Sequence, residues 1–128
     1  AKRRVYIADW FFAPYLFLKR SVPLNLSERL DNVLIELAKK GVKIFLIVWN
    51  APKFAYDLRP KAVAQYLNEA HKNIYVLTHP NRISMWSHHQ KFVVIDEEIA
   101  FLGGIDLCYG RYEDSNYLVT DPNQTVYP

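Results

Sequence analysis

The sequence predicts an α/β fold: a mixed β-sheet flanked by helices in the order β-α-β-α-β-β-β, built as one domain over residues 1–128. Three observations carry that expectation. A helical apolar pattern from Leu26 to Leu37 stops at Gly41 and runs straight into the apolar stretch 42–49, and helix followed by buried strand is the unit of α/β folds. A second helical pattern opens at Pro60 and gives way to the strand-like 74–77. Two β-rich runs, 89–95 and 99–102, are separated by Asp96-Glu97-Glu98, a spacing that suits a hairpin pairing them antiparallel.

Each element has its own reason. Val5-Tyr6-Ile7-Ala8 reads as a short strand. Asn25 suits a helix cap with Glu28 at the third helical position, and Leu26, Leu30, Val33, Leu34 and Leu37 then share a face until Gly41. Residues 42–49 are apolar on both parities and too few for a helix, which predicts a strand buried on both faces. Pro60 sits at a first helical position, with Val63, Tyr66, Leu67 and Ala70 on one side. Helices are expected on both faces of the sheet. Beyond Gly103-Gly104, residues 105–128 lose periodicity and are expected to be mostly loop.

Composition narrows the function classes. A 51% hydrophobic, 15% aromatic chain with four glycines is neither a disordered tail nor a fibrous repeat. Cys108, the sole cysteine, has no internal partner for a disulfide. The apolar-looking stretch 10–18 is nine residues long and contains Pro14, short of the roughly 20 that span a bilayer. Ala1-Lys2-Arg3-Arg4 enters the first strand without an initiator Met or a signal-peptide pattern, so a piece of a longer chain is expected; its expected location is cytoplasmic and peripheral to a membrane. A net charge of +3 with a pI near 9.0 permits an anionic partner without requiring nucleic acid. Lys2-Arg3-Arg4 reads as a solvated face. The aromatics at 10–12 and 15–18 read as core or as a contact with further chain, with a membrane interface the alternative.

The chemistry concentrates in His89-Gln90-Lys91-Phe92-Val93-Val94-Ile95-Asp96, an H-x-K-x-x-x-x-D spacing. With 4 His, 9 Lys and 7 Asp, chance supplies about 0.015 such matches in a chain of this length. On a strand, residues two apart share a face, so His89 and Lys91 are expected to project together. An imidazole can attack phosphorus in line while the ammonium holds the non-bridging oxygens. That division of labour calls for no cofactor. Asp96 completes the pattern and is kept among the catalytic candidates, but seven residues from His89 is an odd step, and its place at the strand's end predicts service to the turn. Another carboxylate would then orient the imidazole, with Asp106, Glu113 and Asp114 as candidates. His71 and His79 read as structural or surface residues, and His88 as a packing or surface residue facing away from His89. Diverging histidines and one cysteine argue against a zinc site, and no metal is expected.

These residues resemble the phospholipase D superfamily, whose motif is H-x-K-x-x-x-x-D followed by small residues. Residues 86–96 and 103–112 are similar to the first catalytic motif of the eukaryotic phospholipases D, and Ala8-Asp9-Trp10 and Phe17-Leu18-Lys19-Arg20 extend the likeness over nearly the whole chain. The resemblance implies one half of a pseudo-dimer. It also implies His89 as the nucleophile that becomes a phosphohistidine, Lys91 as phosphate ligand, and Gly103-Gly104 as the place where backbone approaches the substrate. The superfamily often has G-S-x-N where this chain has Gly103-Gly104-Ile105-Asp106, so Asp106 stands for an amide at the substrate. Asp114, with Glu113 as its alternative, matches the carboxylate that orients the imidazole.

The expected activity is phosphodiester hydrolysis or transphosphatidylation of glycerophospholipids, taking phosphatidylcholine to phosphatidic acid and choline, by an enzyme in peripheral contact with a membrane. In-line displacement also needs an acid opposite the nucleophile, and no other histidine here has a lysine two residues on. The second half-site is therefore expected from outside this segment, either the same parent chain or a second copy. Two alternatives remain: a superfamily nuclease acting as a homodimer, which should carry a denser basic stripe, and a non-catalytic scaffold, against which the intact His89 and Lys91 argue.

Overall fold

The computed structural model describes residues 1–19, 23–51, 59–80 and 86–111. In chain order it contains β1 (Arg4–Asp9), a 3₁₀ turn (Leu26–Glu28), α1 (Leu30–Lys39), β2 (Lys43–Trp49), α2 (Pro60–Ala70), β3 (Ile74–His79), β4 (Phe92–Ile95) and β5 (Ile99–Leu102). The five strands form one sheet in the order β3-β2-β1-β4-β5. The strands β1, β2 and β3 are parallel, β4 runs antiparallel to β1, and β5 antiparallel to β4. This is the mixed α/β sheet that the sequence predicts.

The parallel strands alternate. Val5 and Ile7 of β1, Ile44, Leu46 and Val48 of β2, and Ile74 and Val76 of β3 turn to one side and are buried. There they pack with Leu30, Leu34 and Ala38 of α1 and Ala64 and Leu67 of α2 in a single core. The two helices touch each other, with the Tyr66 hydroxyl donating to Asp31 Oδ2 at 2.7 Å. Both described helices therefore cover the same face, where the sequence suggested one on each. Two successive right-handed crossovers that step in the same direction leave their helices on the same side. Across the other face runs a row in register, with Tyr6 stacked on Phe45 and Phe45 on Tyr75 at centroid distances of 5.2 and 5.1 Å. The second face of β2 is thus half-covered by neighbouring rings and not fully buried.

Two boundaries differ from expectation. The helix expected from Leu26 begins at Leu30, because Arg29 is extended (φ −75°, ψ 136°). Segment 16–18 pairs with it: Leu18 N–H donates to Glu28 O and Leu30 N–H to Leu16 O, and Phe17 bridges Arg29. Asn25 caps the short 3₁₀ turn instead, accepting from Ser27 N–H at 3.0 Å. The strand expected over 89–95 begins only at Phe92, where its ladder to β1 ends opposite Ala8.

Candidate functional site

The three parallel strands end together: β1 at Asp9, β2 at Trp49 and β3 at His79, with Trp49 opposite His79 in the ladder. Crevices at the carboxyl ends of parallel strands are where open α/β sheets bind ligands. The chain at 86–91 passes over these ends before entering β4. An open groove of about 680 Å³ lies there, lined by His79, Pro80, Trp86, His88, His89 and Gln90.

Trp10, one residue past β1, organises the centre. Its indole stacks on Phe11 (centroids 3.9 Å apart, planes at 13°) and on Trp49 (5.8 Å). The His89 ring meets it edge-on at 4.4 Å, and the Lys91 ammonium lies 5.2 Å from its centroid. His89 and Lys91 thus converge through a shared aromatic wall and not through strand parity, since both precede β4. His89 is exposed to the groove while Lys91 is buried. The ammonium contacts Asp106 Oδ1 at 3.1 Å and donates to the His89 carbonyl at 3.3 Å. An ammonium has three N–H donors, and among the described residues these two contacts leave one of them without a partner.

Behind Lys91 sits an acidic pair. Asp9 and Asp106 are 1% and 3% exposed. Asp9 accepts from Trp10 N–H at 2.9 Å and Leu107 N–H at 2.8 Å, and Asp106 accepts from Phe11 N–H at 3.3 Å. Arg111 Nε approaches Asp106 Oδ2 at 3.5 Å. Burial pushes the Asp9 carboxyl up to about 7, opposed by the Leu107 N–H and reinforced by hydrogen bonding and repulsion from Asp106. Sequence reasoning missed Asp9 as a site residue. Its available signal was a carboxylate closing an apolar strand directly before Trp10. Trp10, expected in the core, in a contact with further chain or at a membrane interface, and His79, expected to be structural or on the surface, were likewise not placed in the site, because their neighbours are brought together only by the sheet.

Asp96 lies at the opposite end of β4, in a turn where it and Glu97 have φ of 56° and 59°. Its carboxylate accepts from the N–H groups of Lys2, Arg3 and Arg4 at 2.6, 2.6 and 2.9 Å. Those bonds, from Arg4 and Arg3 first, hold the carboxyl down to about 2. The structure does not bring Asp96 to His89 and Lys91. His88 stacks on His79 at 5.0 Å, and burial lowers its pKa. His71 accepts from Asn73 N–H at the end of α2. Gly103 and Gly104 follow β5, and Gly103 N–H donates to Lys91 O at 3.4 Å. A Cβ on Gly103 would meet nothing nearer than Ile105 N at 4.0 Å, and one on Gly104 nothing within 4 Å; neither has a positive φ. Among the described residues, neither packing nor backbone conformation requires glycine at either position. Glu113 and Asp114 lie outside the described residues. Among the described residues, no three His, Cys, Asp or Glu side chains form a group suited to a metal ion. No described helix is long and apolar enough to cross a membrane.

A family model described as phospholipase D matches residues 1–127. The chain belongs to the phospholipase D family. Phospholipase D A of Dictyostelium discoideum is 44% identical over 128 residues, covering 99% of this chain and 10% of that protein. Phospholipase D B of the same organism is 40% identical, covering 100% and 11%. Phospholipase D1 of Homo sapiens is 38% identical over 125 residues, covering 94% and 12%. This phospholipase D segment thus spans about a tenth of the length of the relatives it matches.

Proposed function

We propose that this domain is one catalytic half of a phospholipase D acting on glycerophospholipids such as phosphatidylcholine. The imidazole of His89 attacks phosphorus and forms a phosphohistidine as the first alcohol leaves. Water then releases phosphatidic acid, or a second alcohol accepts the phosphatidyl group. The observation that carries the reading is the arrangement around Trp10: an exposed imidazole and a buried ammonium anchored by Asp106, beside the groove at the strand ends. The exposed nucleophile can reach an incoming phosphate, and the ammonium meets its charge without reorganising. The glycine pair supports the same reading, because it leaves open space beside Lys91 that the fold does not demand.

The acid that protonates the leaving oxygen must stand across phosphorus from His89. Burial lowers the pKa of His88, and its ring is stacked on His79, so it does not stand free across from His89. The second half-site is therefore supplied from outside this segment, by the same parent chain or a second copy. The catalytic machinery needs no cofactor, and the enzyme meets the membrane peripherally. The test is to incubate the full-length protein with labelled phosphatidylcholine and ethanol. Phosphatidylethanol, with label trapped on His89, is the expected result. Nucleic-acid cleavage alone would transfer the assignment to a nuclease, and neither activity would make the domain a scaffold.

A further inference from the structure

Asp9 and Asp106 form a clasp whose chemistry exceeds what folding needs. Each takes a backbone N–H from the other's segment: Asp9 from Leu107, and Asp106 from Phe11. The Ala13 N–H to Leu107 carbonyl bond at 2.8 Å already ties the same two segments. Two carboxyls with almost no exposure, each bonded to the other's segment, repel one another and cannot both ionise cheaply. Three groups on neighbouring segments face them. Lys91 precedes β4, with its side chain 5% exposed; Arg111 follows the glycine pair, with its side chain 45% exposed. Cys108 is a thiol held neutral by burial. His89 reaches the pair through Lys91 and Trp10.

We propose that Asp9 is a positioning residue for Lys91: the buried Asp9–Asp106 pair holds a single proton, so that a single negative charge lies between the buried Lys91 ammonium and the half-exposed Arg111 guanidinium, and Lys91 stays available to an anionic ligand. The neutral Asp9 carboxyl donates to Asp106, and the shared carboxylate anchors Lys91 without outcompeting a phosphate for it. Loss of that proton puts a second negative charge behind the ammonium. Lys91 is then drawn inward, and the anion-binding position weakens. The inference rests on the phospholipase reading for its catalytic consequence, although the anion site can be measured without turnover.

The direction with pH follows from the Asp9 carboxyl being held up to about 7. Below that value the pair is singly charged and Lys91 is free to bind; above it the second charge appears. In the full-length protein, kcat/KM of the wild type should fall through KM as pH rises past about 7, by up to about tenfold per pH unit. Asp9→Asn cannot ionise and, although its amide nitrogen gives up one of the two backbone N–H bonds that Asp9 accepts on separate oxygens, should show no such limb. Arg111→Met removes an exposed positive charge beside the pair, making ionisation harder, and should move the limb to higher pH. Parallel wild-type and Asp9→Asn profiles would overturn the inference. If Asp9→Asn does not fold, an unmoved limb in Arg111→Met does the same. Binding of sulfate, whose own charge is constant over this range, supplies the readout independent of turnover. A protein that cleaves no phosphodiester, yet binds sulfate more weakly above about pH 7 in the wild type only, would refute the phospholipase reading and uphold the role of Asp9.

Discussion

Replacing Trp10 with leucine tests whether the aromatic wall aligns the catalytic pair. The indole contributes an edge contact to His89 at 4.4 Å and a cation–π contact to Lys91 at 5.2 Å. An aromatic pair of this kind is worth about 0.5–1.5 kcal/mol, and a cation–π contact about 0.5–2 kcal/mol where the cation is desolvated. Lys91 is buried, which puts its contact in the upper half of that range. Losing both orientations should then raise the barrier by about 1.8–3.5 kcal/mol, or roughly 20- to 400-fold in kcat. Trp10→Phe keeps a ring and should retain most of the rate. The assay is phosphatidylethanol formation by the full-length protein under saturating lipid, with melting temperature measured alongside, since Trp10 also stacks on Phe11 and Trp49. A Trp10→Leu enzyme with wild-type kcat would show that His89 and Lys91 are aligned by something other than this indole.

His89→Asn and Lys91→Arg should each reduce turnover by about a thousandfold or more, as expected for a lost nucleophile and for a guanidinium forced into a site shaped to an ammonium; single-turnover quench assays decide. Gly103→Ala should leave thermal stability within about 0.5 kcal/mol of wild type, because its Cβ meets open space, while cutting kcat/KM about tenfold if substrate approaches there; equal activity would refute that use of the glycine. Asp96→Ala should lower the melting temperature with little effect on single-turnover rate, because its carboxylate serves the N–H groups of Lys2, Arg3 and Arg4. Since its folded pKa lies near 2, below the usual carboxylate value, its stabilisation is complete above about pH 5 and fades as pH falls toward 2. The melting-temperature gap between wild type and Asp96→Ala should close over that window.

Legibility followed the range of the interactions involved. The second helix, the parallel strands and the β4–β5 hairpin were readable because their signals are local: Pro60 at a helix start, apolar runs of strand length, and three turn residues between β-rich segments. The split of the first helix at Arg29 was not, because its cause is a bridge from Phe17. Strand parity suggested that His89 and Lys91 share a face, whereas β4 starts at Phe92 and the two side chains meet through Trp10. That contact spans about eighty residues of sequence, and no periodicity encodes it. The same holds for Asp9 and Asp106, which lie far apart in the chain and come together only because β4 pairs with β1 and β5, antiparallel to β4, returns the post-glycine segment to the end of β1.

The fold also explains why a carboxylate stands behind the lysine. The carboxyl end of β1 is the middle of the sheet, flanked by β2 on one side and by β4 on the other. A side chain placed there is desolvated on arrival, and a lone buried ammonium would lose its proton or move toward water. Asp106 offsets that tendency at 3.1 Å and holds Lys91 against the Trp10 ring. A fully charged carboxyl pair would overshoot, binding the ammonium more strongly than a transient phosphate could. The site thus requires a counter-charge large enough to keep Lys91 protonated and small enough to let it bind an anion. A buried pair sharing one proton meets both requirements, and two strand-end segments clasped side by side can supply it.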